Sequence, residues 1–101
     1  MIEQRFAFAA TDAKTIERVV AEDALNINHM VLPTGEGFPE HTANADVYMA
    51  VMRGELALEL NAQPAARYHR GDLLKIPQGT LMRGYNPEQA VLELFIVKRF
   101  A

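Results

Sequence analysis

Residues 35–54 read GEGFPEHTANADVYMAVMRG and residues 71–86 read GDLLKIPQGTLMRGYN, and these two stretches decide the fold. Each begins with a glycine and continues into short apolar runs. Gly71 suits a tight turn, because glycine tolerates a positive φ. Pro77 marks the entry into the run that contains Met82. Both stretches therefore predict short strands that are separated by tight turns.

The rest of the chain is organised in the same way. Short runs rich in Val, Ile, Leu, Tyr and Phe lie between glycine and proline residues. Leu56, Leu58 and Leu60 recur with the two-residue period of a strand that has one solvent-facing side. Many short strands with regular turn signals indicate a sandwich or a barrel, so we expect an all-β fold. The predicted strands are Leu25–Leu32, Val47–Met52, Glu55–Leu60, Asp72–Ile76, Leu81–Tyr85 and Val91–Val97.

The segment Asp12–Ala24 fits two structures. Ile16 and Val20 fit the apolar face of an amphipathic helix, with Asp12 as a possible N-cap. The same residues also fit a strand over Thr15–Val20. We favour the strand because the remainder of the chain is so uniformly β.

The composition fits one small domain, residues 1–101, with a net charge of −3 and no cysteine. The ten Lys and Arg residues are scattered, whereas nucleic-acid binding needs a dense positive face. No apolar run reaches the roughly 7–15 residues of a signal peptide or the roughly 20 of a membrane span. We therefore expect a cytoplasmic protein with no nucleic-acid partner and no membrane partner.

The spacing of particular residues resembles the two motifs of the cupin family. The first motif is Gly, five residues, His, one, His, three or four, Glu, six, Gly, and the second is Gly, five residues, Pro, one, Gly, two, His, three, Asn. The residues at these spacings are Gly35, His41, Ala43, Val47 and Gly54, then Gly71, Pro77, Gly79, Met82 and Asn86. The resemblance covers about residues 30–86 and is strongest to a loose subgroup of very short bacterial cupins. It implies a single cupin domain, which is a double-stranded β-helix or jelly-roll barrel.

The resemblance also implies a metal site, most of which is missing. In metal-binding cupins, three His and one Glu hold iron, manganese, nickel, copper or zinc. The matching positions here are His41, Ala43, Val47 and Met82. One imidazole cannot hold a divalent ion tightly without other donors. We therefore expect no metal ligands, no tightly bound metal and no other cofactor.

Other possible donors have no support from the motifs. Asp46 is one residue from the glutamate position and Glu40 is next to His41, but a one-residue shift turns a strand side chain to the opposite face. His29 and His69 match no motif position. We expect His69, which lies just before a turn, at the surface.

Strand parity with His41 predicts which side chains face the barrel interior. These are Val47, Met49, Val51, Met82, Met30 and Leu32. From this set and the motif positions, the candidate ligand-binding residues are His41, Ala43, Val47, Met49, Met82 and Met30.

The predicted interior allows three states. Thioethers adapt easily around a ligand, which favours an apolar pocket beside His41. An eight-stranded interior is also narrow enough to be filled by its own side chains. His41, Met49 and Met82 together have the donor types of a soft site for Cu(I).

Three hypotheses about function follow. The first is a binding module that holds an unidentified small, largely apolar molecule beside His41. The second is a metal-independent enzyme that resembles the sugar-epimerase branch of the superfamily and uses His41 as the base. That chemistry needs a carboxylate beside the His, and a phosphorylated sugar would need an inward Arg or Lys; the pattern indicates neither. The third is a purely structural or interaction role for a closed barrel.

Two apolar strands indicate a homodimer. Val47–Met52 is apolar on both faces, and Phe95 and Val97 lie opposite Leu94 and Ile96. A small monomer rarely exposes a large contiguous apolar patch to water. A second subunit is the simplest cover for the outer face of these strands.

Overall fold

The computed structural model describes residues 1–100, so the last residue of the predicted 1–101 domain lies outside it. Residues 1–100 form nine strands. They are β1 (Thr15–Ala21), β2 (Leu25–Leu32), β3 (Gly37–Thr42), β4 (Asp46–Arg53), β5 (Glu55–Leu60), β6 (Ala66–His69), β7 (Leu73–Ile76), β8 (Leu81–Tyr85) and β9 (Leu92–Arg99). The part of the chain that the structure describes contains no helix long and apolar enough to cross a membrane.

The strands form two antiparallel sheets that enclose the core. One sheet has the order β1-β2-β9-β4-β7, and the other has the order β3-β8-β5-β6. Apolar side chains from both sheets meet between them, as the two-residue period of the strands predicts. The core consists of Leu32, Phe38, Ala43, Val47, Met49, Val51, Leu56, Leu58, Ile76, Met82, Leu92, Leu94 and Ile96. The all-β prediction is confirmed.

The predicted strands agree with the structure. Leu25–Leu32, Glu55–Leu60 and Leu81–Tyr85 have the predicted bounds. The ambiguous segment contains β1, an edge strand paired with β2, so the strand alternative is correct.

Two strands, β3 and β6, are absent from the prediction. The last four residues of β3 are exposed, and so are three of the four residues of β6. Strands with so little buried surface have no apolar run that could indicate them.

The motif glycines occupy turns that require them. Gly35, Gly54, Gly71 and Gly79 all have a positive φ, which disfavours side chains with a Cβ. At Gly54, between β4 and β5, a Cβ would also collide with the carbonyl oxygen of Val91.

Asn86, the last motif residue, fastens the loop after β8. Its side chain is buried, and its Nδ2 donates to the carbonyl oxygens of Leu32 (2.9 Å) and Ala90 (2.8 Å). Its Oδ1 accepts from the backbone N–H of Glu88 at 2.9 Å. One amide thus links β2 to the loop that leads into β9.

His29 lies on the outer face of the five-stranded sheet, where it is fully buried between two carboxylates. Its Nδ1 is 2.7 Å from Oε2 of Glu17, and its Nε2 is 2.6 Å from Oε2 of Glu93. The rings of Phe8 and Phe95 lie 4.9 Å from the imidazole, centroid to centroid. Both ring nitrogens have partners, so this histidine has no polar atom left for a ligand.

The same cluster holds the N-terminal segment against the sheet. Arg53 donates from Nε to Glu93 (2.9 Å), from Nη1 to Asp12 (2.8 Å) and from Nη2 to the carbonyl oxygen of Thr11 (3.0 Å). The backbone N–H of Ala9 donates to Glu17 at 2.9 Å. These contacts link strands β1, β4 and β9 to the N-terminal segment, which forms no strand of its own.

The surroundings of both glutamates hold their carboxyl groups in the charged form. The backbone N–H of Ala9, and then His29, lower the pKa of Glu17 below its ordinary value. Partial burial acts to raise the pKa of Glu93, but the hydrogen bonds from His29 and Arg53 outweigh it and lower that pKa as well. A carboxyl group whose pKa is lower in the folded state stabilises the fold above its unfolded pKa. That stability is lost as the pH falls through the lower, folded value.

We predict that replacing His29 with Leu lowers the free energy of unfolding at pH 7 by about 3 kcal/mol, because it leaves two partly buried carboxylates without their partner. His69→Leu is the control, since His69 is exposed, and its effect should stay within about 0.5 kcal/mol. The difference between His29→Leu and the wild type should shrink as the pH falls below the ordinary glutamate value of 4.5. Urea unfolding between pH 3 and pH 7 measures both effects. Equal stability of His29→Leu and wild type at pH 7 would contradict the assignment.

Candidate functional site

A cavity lies between the two sheets at the end of the barrel that contains His41. Its volume is about 50 Å³, and it is partly open to solvent. A site needs about 10–15 Å³ of such volume for one water molecule, so this cavity holds only a few water-sized groups. The lining residues are Asn28, Met30, Phe38, His41, Val47, Met49, Met82, Ile96 and Lys98.

The structure brings five of the six candidate residues together. Met30, His41, Val47, Met49 and Met82 all line the cavity. His41 is paired with Met82 across β3 and β8, and Val47 and Met49 alternate with outward residues along β4.

Ala43, the sixth candidate residue, lies in the buried core and is not part of the cavity wall. The positions of the six candidate residues do not test whether they bind a ligand, so their role in ligand binding stays a prediction.

Pro39 fixes the orientation of the His41 ring. His41 Nδ1 lies 2.9 Å from the carbonyl oxygen of Pro39, and because a carbonyl only accepts, Nδ1 carries the hydrogen. In the neutral ring, Nε2 is then an acceptor with no protein partner among residues 1–100. The ring of Phe38 meets the imidazole edge-on, with the centroids 6.0 Å apart.

No carboxylate forms a hydrogen bond with His41 in the described part of the chain. Asp46 accepts from the backbone N–H of Gln78 (3.0 Å) and pairs with Arg99 (2.7 Å), so its carboxylate is held elsewhere. Glu40, the neighbour of His41, is exposed.

Two polar residues in the cavity wall were missed at the sequence level. Asn28 shares the inward parity of Met30 on β2, and Lys98 follows Leu94 and Ile96 at the inward positions of β9. Continuing the two-residue alternation from Met30 back to Asn28, and from Ile96 on to Lys98, would have identified both. The expectation that no Arg or Lys reaches the interior is therefore wrong at Lys98.

Asn28 carries an unsatisfied polar atom. Its Oδ1 is shielded from solvent and has no hydrogen-bond partner among residues 1–100. Buried polar atoms nearly always have a partner, and leaving one without costs about 1–3 kcal/mol. Because this oxygen is out of reach of water-sized groups, an occupant of the cavity contacts it only after the Asn28 side chain changes its rotamer.

A larger depression of about 570 Å³ lies outside the barrel, beside Asp12, Arg53 and Glu93. Its charged groups are already paired with one another. The inner cavity is much smaller, but its wall includes His41 and Lys98, whose side chains form no ion pair among residues 1–100. For this reason we take the inner cavity as the candidate site.

The donors present do not fit the metal site of the family. The three positions that would complete it around His41 hold Ala43, Val47 and Met82, which offer at most one thioether. Among residues 1–100, no three His, Cys, Asp or Glu side chains are grouped to hold a metal ion. A soft Cu(I) site at His41, Met49 and Met82 stays a prediction, although all three line the cavity.

We predict that the triple variant Ala43→His, Val47→Glu, Met82→His binds nickel or zinc. These substitutions restore three imidazoles and one carboxylate at the family's positions, and metal should offset the cost of the new buried polar groups. Calorimetric titration and melting curves with metal or with chelator measure the effect. The control is Asn44→His, Tyr48→Glu, Arg83→His, in which each substitution moves one residue along the chain to the neighbouring position. Equal metal binding by both variants, or by neither, would contradict the inward register.

The comparisons with known proteins agree with the architecture. A scan of protein-family models found no match. The chain is 37% identical over 100 residues to the uncharacterized protein MJ0764 of Methanocaldococcus jannaschii, covering 97% of this chain and 85% of that protein.

Solved structures extend the likeness. The crystal structure of MJ0764, described as an RmlC-like cupin family protein with a double-stranded β-helix fold, matches with a TM-score of 0.93 and 34% identity, over 98% of this chain and 92% of that one. A cupin superfamily protein of Desulfitobacterium hafniense matches with a TM-score of 0.80 at 14% identity, over 94% and 84% of the two chains. A cupin 2 conserved barrel domain protein of Salinispora arenicola matches with a TM-score of 0.77 at 17% identity, over 94% and 82%. With its two-sheet architecture, its motif turns and a relative of more than 30% identity along nearly its whole length, this chain belongs to the RmlC-like cupin family.

Proposed function

We propose that this cupin is a binding module that holds a small molecule in the cavity beside His41, without a tightly bound metal. The observation that carries the proposal is the cavity itself, a gap of about 50 Å³ in a core that is otherwise closely filled. Well-packed interiors rarely keep a gap larger than one water molecule without a role for it.

The cavity wall favours an adaptable site. Met30, Met49 and Met82 line it, and the unbranched thioether side chain can change rotamer to fit an occupant. A ligand slightly larger than the gap can therefore be taken up without a change in the backbone.

An epimerase-like enzyme has less support. Its acid–base chemistry needs a carboxylate to orient the histidine, and the partner of His41 is the carbonyl oxygen of Pro39. The purely structural alternative is disfavoured by the unsatisfied Oδ1 of Asn28, since a barrel that is only structural gains nothing from it.

We predict that small molecules of up to about six heavy atoms perturb the cavity methionines selectively. Protein labelled with ¹³C at the methionine methyl groups gives five signals, of which Met30, Met49 and Met82 report on the cavity. Met1 and Met52 are exposed and serve as internal controls. A screen of neutral and charged fragments should shift the three cavity signals and leave the two controls unchanged. If no fragment at millimolar concentration shifts the cavity signals, the barrel is not a binding site.

We also propose that the chain forms a homodimer through the outer face of the five-stranded sheet. Leu73 on the edge strand β7 is 69% exposed, and Met52 on β4 is 45% exposed. Ala50 lies beside Leu73 on the same face. Part of this face is covered within the chain, because Phe8 of the N-terminal segment packs edge-on against Phe95 at 4.8 Å. The rest is the surface on which a second subunit would pack.

We predict a dimer mass by light scattering after size-exclusion chromatography at micromolar concentration. Leu73→Glu should give a monomer, because it places a charge within the proposed apolar contact. Leu81→Glu, which replaces a 38% exposed leucine of the other sheet, is the control and should remain dimeric. A monomer mass for the wild-type chain would contradict this proposal.

A further inference from the structure

The polar groups around the cavity define the chemistry of an occupant. They are the amide of Asn28 from β2, the imidazole of His41 from β3 and the ammonium of Lys98 from β9. They belong to three different strands, and the other lining residues are apolar. The occupant therefore contacts only a few polar groups, and each of these restricts what it can be.

Lys98 provides a positive charge that no carboxylate neutralises within the described residues 1–100. No ion pair involves it among residues 1–100, whereas five of the nine other Lys and Arg residues are paired with acidic groups. The inward positions of β9 are almost completely buried at Leu94 and Ile96, whereas Lys98 is half-buried. The ammonium therefore stands at the open end of the cavity, where an anionic group can keep part of its hydration.

His41 and Asn28 both carry an acceptor without a partner among residues 1–100, but the oxygen of Asn28 faces the cavity only after its side chain changes rotamer. The Oδ1 of Asn28 has no partner, and the Nε2 of the neutral His41 ring accepts because Nδ1 carries the hydrogen. An occupant with a hydrogen-bond donor satisfies these atoms, whereas an occupant with acceptors alone does not. A hydroxyl group supplies a donor at a lower desolvation cost than an ammonium group does.

The volume and the methionines restrict the rest of the molecule. Space for about four water-sized groups admits a hydroxyl and a short alkyl group inside, while the anionic end lies at the mouth. The thioethers of Met30, Met49 and Met82 surround the inner end, so the part that lies there is apolar.

We propose that the cavity binds a short-chain hydroxycarboxylate, with its carboxylate at Lys98, its hydroxyl donating to Asn28 or His41 and its alkyl end among the methionines. This inference rests on the proposed binding function and names the class of ligand for the same cavity. No covalent step is involved.

The test is a titration of the ¹³C-methionine protein with lactate and three matched probes. Propionate lacks the hydroxyl, lactamide lacks the charge, and alanine carries an ammonium in place of the hydroxyl. We expect lactate to bind about tenfold more tightly than propionate or lactamide, which is the effect of one well-placed hydrogen bond or one charge contact. Tighter binding of alanine than of lactate would overturn the assignment to hydroxy acids.

Variants of Asn28 and Lys98 test whether lactate binds in the cavity that these residues line. Lys98→Met keeps the stem of the side chain and should weaken lactate binding about tenfold, while Lys98→Arg should stay within about threefold of the wild type. Lys75→Met, on β7 beside the outward ring of Tyr48, is the control and should change nothing. Asn28→Leu should remove the preference for lactate over propionate and should raise the melting temperature of the ligand-free protein, because it removes an unsatisfied buried oxygen.

The outcomes separate this inference from the proposed function. If neutral fragments shift the cavity methionines but lactate binds no better than lactamide and Lys98→Met has no effect, the hydroxycarboxylate is wrong while the binding module stands. If neither lactate nor any fragment shifts those methionines, both proposals fail. A lactate preference that is lost in Lys98→Met and in Asn28→Leu, but kept in Lys75→Met, supports the inference.

Discussion

The two-residue period of β9 determines what each face of the five-stranded sheet can do. This strand lies at the centre of the sheet, paired with β2 on one side and with β4 on the other. Its inward residues, Leu92, Leu94 and Ile96, are buried in the core, and the next inward position is Lys98 at the cavity. Its outward residues include Glu93 in the charge cluster and Phe95 under the N-terminal segment. A shift of one residue would exchange these two environments, which places charges in the core and leucines in water.

The two clusters on either side of the sheet differ in how completely they are satisfied. Around His29, every charged contact has a partner at 2.6–2.9 Å, and aromatic rings close the imidazole off. This arrangement stabilises the fold but offers nothing to a ligand. Around His41 the polar groups are less completely satisfied, because Asn28 Oδ1 has no hydrogen-bond partner and Lys98 has no ion-pair partner among residues 1–100. Unsatisfied groups cost stability, so their presence beside a cavity is the better sign of a binding role.

The fold does not depend on metal-binding side chains at the motif positions. Val47 and Met82, which stand at two of these positions, are buried in the core and line the cavity of about 50 Å³. The turns and the loop anchor that define the fold are independent of those ligands. Gly54 has to accommodate the close approach of Val91, and Asn86 has to bind two backbone carbonyls, whatever lies inside the barrel.

The fold, most of the strands and the inward placement of the methionines could be predicted from the amino-acid pattern. Each of these follows from a local cause: glycine where φ is positive, alternation along a strand, and motif spacings that reflect both. Strands β3 and β6 were not predicted, because strands that are mostly exposed contain no run of apolar residues.

Which polar groups meet could not be predicted, because it depends on how the strands are arranged in the folded chain. Glu93 is 64 residues from His29 in the chain, and Asn28, His41 and Lys98 come from three strands of two sheets. Periodicity tells which way a side chain points, but the distance between two side chains depends on strand order and sheet packing. Those are set by the whole core at once, which is why the buried histidine, the cavity and the lysine in its wall became visible only in the folded chain.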